Sequence, residues 1–343
     1  MTYQSKKQNV TNPDRVFVLR PLESTRGQLL RTELLSPLEE QFGKDKIQLL
    51  QIDQSSPLQN AARLFQLLTD PKSETSTVGN NSWLIAAGGD ATASCTLNLA
   101  KLLIDKDVGQ VALGLPALGH QNVVSQTAGM LAVKGAAAYT THNVSPLEIT
   151  LTDNEKSEQT IWALANFVIG AIAKSAKYLD MKFVRAIRKQ GLEQNLRVPA
   201  DVLAGALSLT PALIDYFFQI SSHLSKVSQN NGEYEKFFAI GAMLANNFTP
   251  LIKIADGGLD KLGYVGPDFK VLSYHHLGNL ASALIGNRME LNGDTSQLER
   301  LEFEYPVKKL GVIIDGDSTN FNNVKKITIH RNQHTVPILM AKT

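Results

Sequence analysis

Residues 83–92 read Trp83-Leu-Ile-Ala-Ala-Gly88-Gly89-Asp90-Ala91-Thr92: an apolar run that passes directly into two glycines and then into residues that start helices. The run Trp83–Ala87 predicts a buried strand, and Ala93–Ile104 behind it predicts a helix. Paired glycines between a strand and a helix permit a tight turn and close approach of a ligand to the backbone. The helix brings its first N–H groups and the positive end of its dipole to the same place, which favours phosphate. Asp90 and Thr92 stand where an N-cap would stand, so capping competes with phosphate binding for both residues. The stretch is not a Walker A loop, since no Gly-Lys-Ser/Thr follows, and it is not a Rossmann fingerprint.

On either side of this stretch the pattern alternates. Val16–Leu19 predicts a strand, stopped by Arg20-Pro21, and the leucines of Gln28–Phe42 predict an amphipathic helix. Ile47–Ile52 and Val111–Leu115 predict further strands, and Leu58–Leu68 a further helix. Strand–helix alternation with short connections predicts an α/β domain with a mostly parallel sheet over residues 1–135. Beyond it the texture changes. Pro146–Leu151 alternates apolar and polar residues, and Thr160–Ile169 would pair with it across the polar turn between them. Lys236–Leu244, Gly263–Val265, Leu298–Tyr305, Leu310–Ile314 and Lys325–His330 are further strand candidates, with helices at about 171–190, 210–226 and 268–286. Short strands at this density predict an antiparallel β-sandwich-like domain with helices over 136–320. A C-terminal segment, 321–343, would return to the first domain.

Composition narrows the function. Among 343 residues, 34 Lys+Arg against 32 Asp+Glu leave a net charge of +2, so no bulk attraction to nucleic acid is expected. The single cysteine, Cys95, cannot form an internal disulfide, which suits a reducing compartment, and is expected to be a core residue. No uncharged apolar run reaches the roughly 20 residues a membrane span needs, and the polar N-terminus lacks a signal peptide's apolar core. A cytoplasmic protein is expected. No Cys/His cluster supports zinc, and no Gly-x-Ser-x-Gly elbow supports a serine hydrolase.

Four segments, taken in order, resemble the diacylglycerol kinase catalytic domain, a lipid kinase family that shares an altered glycine signature with NAD kinases. Gly88-Gly89-Asp90-Ala91-Thr92 is similar to its Gly-Gly-Asp-Gly-Thr signature. Leu115-Pro116-Ala-Leu-Gly119-His120-Gln-Asn122 is similar to its Pro-x-Gly-Thr-x-Asn loop. Asp256-Gly257-Gly258-Leu259-Asp260 resembles its Asp-Gly-x-Leu-Asp segment, and Asp315-Gly316-Asp317 its late Asp-Gly-Glu turn. In order and spacing the resemblance covers roughly residues 15 to 340. The resemblance implies an ATP- and magnesium-dependent transfer of the γ-phosphate to a lipid hydroxyl. It implies that Gly88, Gly89, Asp90, Thr92, Gly119 and Asn122 bind the nucleotide, with Asp90 also in a catalytic role. It further implies that Asp256 serves magnesium, as a ligand or as a neighbour of its ligands, and that Asp317 acts as general base; Asp260, four residues after Asp256, could share the cation. Read without it, Ile313-Ile314-Asp315-Gly316 is a hairpin signal, and the Asp256-Gly257-Gly258 stretch reads the same way.

Departures from the family pattern keep two alternatives open. Ala91 stands at the third glycine of the signature, where a left-handed backbone would cost alanine about 1 kcal/mol. His120 replaces a threonine, Asp317 a glutamate, and the early Asn-Pro-x-Ser-Gly loop is Arg20-Pro21-Leu-Glu-Ser24, in which Arg20 and Arg26 could bind phosphate instead. One alternative is a relative that binds lipid or nucleotide without turnover; the other is an NAD kinase-like phosphotransferase. Basic residues interleaved with Leu179, Phe183, Val184 and Ile187 between Lys174 and Arg197 would suit contact with the inner membrane face, where a lipid substrate resides. Pairing of sheet edges would permit a homodimer.

Overall fold

The computed structural model describes residues 12–22, 30–53, 56–72, 78–118, 123–129, 138–170 and 309–342, with Leu131, Val133 and, between 171 and 308, single residues and the short strands given below. The chain divides into two units: residues 1–146 with 333–343, and residues 147–332.

The first unit is built on a six-stranded sheet. Its strands are β1 (Arg15–Pro21), β2 (Ile47–Ile52), β3 (Asn81–Ala86), β4 (Gln110–Gly114) and β5 (Tyr139–Val144), joined by the last strand of the chain, Val336–Ala341. The order is β2-β1-β3-β4, then the last strand, then β5. All pairings are parallel except that of the last strand with β5. The strands form where the sequence predicts them because Val16–Leu19 and Trp83–Ala86 are buried on both faces, as a covered parallel sheet requires.

The connecting helices are α1 (Ser36–Phe42), α2 (Pro57–Thr69), α3 (Asp90–Asp105) and the short α4 (Val123–Ala128). The stretch expected as one helix over 28–42 includes a π-helical turn, Arg31–Leu35, before α1. On one face of the sheet Val16, Val18 and Ile85 pack with Leu34, Leu38 and Tyr139. Trp83 meets the rings of Phe42 and Tyr139 edge-on, at 4.9 and 5.0 Å.

The second unit contains β6 (Leu147–Asp153), β7 (Glu158–Ala163), β8 (Asn166–Gly170), β9 (Ser225–Gln229), β10 (Glu235–Phe237), β11 (Ala239–Met243), β12 (Asn247–Thr249), β13 (Ile252–Lys253), β14 (Gly263–Val265), β15 (Met289–Glu290), β16 (Arg300–Glu304), β17 (Lys309–Ile314), β18 (Asp317–Asn322) and β19 (Val324–Arg331). The strand of the first unit at Val336–Ala341 is β20. One antiparallel sheet runs β10-β9-β16-β19-β6-β7, a second runs β14-β11-β8-β17-β18, and β12-β13-β15 make a small third. Phe167 of β8 and Phe303 of β16 meet between the two larger sheets with ring centroids 6.2 Å apart. The expected alternation holds in β6, where Leu147, Ile149 and Leu151 are buried and Glu148 and Thr150 half-buried.

The single strand expected over Thr160–Ile169 is instead two. β7 pairs with β6, the chain turns at Leu164-Ala165, and β8 enters the other sheet. The helices expected at 210–226 and 268–286 lie outside the described residues, apart from strand residues Ser225 and Lys226.

Candidate functional site

The chain leaves β1 for β2 on one side and returns to β3 on the other, so the strand order reverses between β1 and β3. In an open α/β sheet such a reversal opens a crevice at the carboxyl ends of the strands, where ligands bind. The glycine turn is at that edge. Ala87 N donates to Leu19 O at 2.8 Å, which carries the β1–β3 pairing to the very start of the turn.

Gly88 is required by space. A Cβ there would stand 2.1 Å from Thr92 Oγ1 and 3.2 Å from Pro21 Cδ. Neither turn glycine has a left-handed backbone; Gly89 is extended at φ −89° and ψ −164°. Thr92 is buried, its side chain packed over Gly88.

Gly89 is the N-cap residue of α3, and no side chain caps that helix. The capping role open to Asp90 and Thr92 is therefore not the one they take. Asp90 is half-buried, and its Oδ1 accepts a hydrogen bond from Val124 N at 3.1 Å, which ties the start of α3 to the start of α4. Ser125 Oγ in turn donates to Pro116 O at 3.4 Å, holding the same short helix to the end of β4. Ala91 lies within α3 and has no positive φ, so the strain expected of an alanine at this position does not arise.

The carboxyl end of β2 contributes a polar clamp that the sequence reading missed. Asn60, buried in α2, accepts from Asp53 N at 3.2 Å and donates to Asp53 O at 3.3 Å. Arg63 donates to Gln51 O at 2.8 Å and to Asn60 Oδ1 at 2.9 Å, and its Nε stands 3.9 Å from Asp53 Oδ2. Asn60 and Arg63 are one turn apart, a spacing too common in helices to have signalled this role.

Asp317 belongs to the second unit. It opens β18 opposite Ile314, and the two residues between them, Asp315 at φ 52° and Gly316 at φ 81°, form the tight hairpin turn that Asp-Gly favours. Asp317 is half-buried. Asp315 is fully buried: its Oδ1 accepts from Ala165 N at 2.7 Å, Leu164 N at 3.0 Å and Asn166 N at 3.3 Å, and its Oδ2 from Leu164 N at 3.1 Å. This carboxylate therefore fixes the hairpin that carries Asp317 to the turn between β7 and β8. The sequence pattern identified the turn, but not its partner about 150 positions earlier.

Gly88, Gly89, Asp90 and Thr92 are thus brought together in the first unit, and Asp317 stands in the second. Gly119, His120, Asn122, Asp256 and Asp260 lie outside the described residues. Among the described residues no group of three His, Cys, Asp or Glu side chains could hold a metal ion. No helix among them is long and apolar enough to cross a membrane.

No protein-family model matches the sequence, and no curated protein matches it. Among solved structures it is similar to that of a Bacillus anthracis str. Sterne protein proposed to be a diacylglycerol kinase. The TM-score is 0.53 at 11% identity, covering 97% of this chain and 99% of that one. A second structure, again of a proposed diacylglycerol kinase from Bacillus anthracis str. Sterne, gives a TM-score of 0.50 at 13% identity over 96% and 97% of the two chains. The chain has the fold of these diacylglycerol-kinase-like proteins, an α/β part with a mostly parallel sheet followed by antiparallel β-sheets. At such identities the likeness is one of fold.

Proposed function

We propose that the protein is a lipid kinase of the diacylglycerol kinase type, which uses ATP and magnesium to phosphorylate a lipid hydroxyl at the inner membrane face. One observation carries the reading: a glycine turn at the reversal of strand order leads into a 16-residue helix, α3, whose first turn no side chain caps. Backbone N–H groups and the positive helix end suit the phosphates of a nucleotide. Gly88 and Gly89 let the chain approach them closely. The charge of Asp90 and its bond to α4 would hold the neighbouring loop, with Gly119 and Asn122, around the same ligand.

In the transfer, the lipid hydroxyl oxygen attacks the γ-phosphorus as the bond from that phosphorus to the ADP oxygen breaks. The hydroxyl proton passes to the Asp317 carboxylate, and ADP leaves with the bonding electrons. Magnesium, for which Asp256 and Asp260 are the proposed ligands, would supply charge neutralisation at the phosphates.

Calorimetry with ATP, with and without magnesium, tests the nucleotide site. Wild type is expected to bind, with Asp90→Asn binding more weakly although it keeps an acceptor for Val124 N. Lipid-dependent ADP release then tests turnover, and Asp317→Ala is expected to lower it about 100-fold or more. Absence of ATP binding by the wild type would overturn the reading. Binding without lipid-dependent turnover would favour the non-catalytic relative, and turnover with NAD instead of lipid would favour the NAD kinase-like alternative.

A further inference from the structure

Arg20 is the next-to-last residue of β1, level with the glycine turn across the β1–β3 pair. Strand alternation puts it on the sheet face that carries Val16 and Val18, next to Ala87 at the end of β3. It is half-buried, and its Nε is shielded from solvent with no hydrogen-bond partner among the described residues.

The Nε of Arg331 shares that state, but Arg331 has another interaction partner. Six arginines fall among the described residues, and the other five are all engaged. Arg15 donates to Asp45 O, Arg31 pairs with Glu39, Arg63 with Asp53, and Arg300 with Glu302, while Arg331 also has an interaction partner. A guanidinium cannot shed its proton to escape burial, and a shielded N–H without an acceptor is costly. A ligand that brings oxygen acceptors and negative charge would remove that cost. Phosphate does both, and its oxygens match the planar fork of guanidinium donors.

We infer that Arg20 binds phosphate in the crevice at the glycine turn, and that it makes the site selective for a nucleotide carrying several phosphates over a nucleoside. The inference rests on the nucleotide reading above and adds to it a fixed positive charge, beyond backbone donors and helix dipole. This charge comes from the position where the family pattern has asparagine. The helix dipole and N–H groups carry only partial charge. A permanent cation at the crevice scales affinity with ligand charge and makes it fall with salt.

The test is calorimetry of wild type, Arg20→Ala, Arg20→Gln and Arg20→Lys with ATP, ADP, adenosine and tripolyphosphate at two salt concentrations. Thermal unfolding of each variant serves as the folding control. For wild type the expected order is ATP above ADP above adenosine, with tripolyphosphate also binding. Arg20→Ala is expected to weaken ATP and tripolyphosphate about ten- to hundredfold, leave adenosine unchanged and flatten the salt dependence. Arg20→Lys should recover part of the loss. If Arg20→Ala fails to fold, Arg20→Gln, which keeps most of the side-chain volume, decides the matter. Equal ATP affinity in wild type and a folded Arg20 variant would overturn the inference while leaving the nucleotide site standing. No ATP binding by wild type would overturn the underlying reading as well.

Discussion

Two turns carry the candidate chemistry, and each contains a glycine for a different reason. At 88–89 the backbone is of a kind any residue can adopt, and Gly88 is demanded by Thr92 and Pro21, which occupy the space a side chain would need. At 315–316 Gly316 has a left-handed backbone, and the demand is conformational. The acidic residues differ as well. Asp90 is half-buried and accepts a hydrogen bond from a neighbouring helix start, whereas Asp315 is fully buried and surrounded by three backbone N–H groups. A half-buried carboxylate beside an uncapped helix can respond to a ligand. A fully buried one accepting from every side is an anchor, and Asp317, two positions on, is the group it holds in place.

The sharpest way to break this contrast is Asp315→Ala. Removing the acceptor strands three buried N–H groups, and a loss of about 3 kcal/mol or more is expected in urea unfolding. If Asp315→Ala were as stable as wild type, the anchoring role would be wrong. Asp315→Asn keeps one carbonyl oxygen and should lose less stability, yet lipid-dependent turnover should still fall if the turn positions Asp317.

Glycine replacements should separate next. Gly88→Ala is expected to cost about 1–3 kcal/mol through overpacking, part of which Thr92→Ala should recover in the double variant. Gly316→Ala is expected to cost about 1 kcal/mol from backbone conformation alone, with no neighbouring substitution able to restore it. Recovery at 316, or none at 88, would erase the distinction between the two turns.

Smaller effects come from α3 itself. Ala91→Gly would restore the family's glycine but places it in a helix, so a loss of about 0.5–1 kcal/mol is expected by thermal unfolding. Cys95, buried in the same helix, has its thiol pKa pushed up to about 12 from 9.0, chiefly by burial. The folded state then keeps the proton that the unfolded state loses above about pH 9. This group therefore favours unfolding progressively between pH 9 and 12 and has no pH effect below that range. Alkylation at pH 8 should be slow in native protein and fast in urea; rapid native labelling would contradict the burial.

Much of the first unit was legible because local pattern and final environment agree. Val16–Leu19 and Trp83–Ala86 are continuous apolar runs because helices and sheet neighbours cover both faces, and covered strands read the same way in any context. The Asp-Gly hairpin was legible for an equally local reason, since its turn conformation depends on two residues. β18, Asp-Ser-Thr-Asn-Phe-Asn, was not legible, because a polar edge strand takes its identity from pairing with β17 and carries little hydrophobic signal of its own. The break at Leu164-Ala165 was hidden as well. An apolar run gives no reason to stop there until the carboxylate of Asp315 arrives to take the N–H groups of residues 164–166.

By itself, then, the sequence determined the strand–helix alternation, the change to short antiparallel strands, the glycine turn before α3 and the Asp-Gly turn before β18. Each depends on side-chain period or backbone freedom within a few residues. Only the tertiary structure decided that strand order reverses at the glycine turn, that space rather than φ requires Gly88, and that Ala91 is unstrained. It alone decided, too, that Asp315 anchors a distant turn and that the Arg20 Nε is shielded with no partner among the described residues. These follow from which segments meet, and burial and hydrogen-bond partners exist only after they have met.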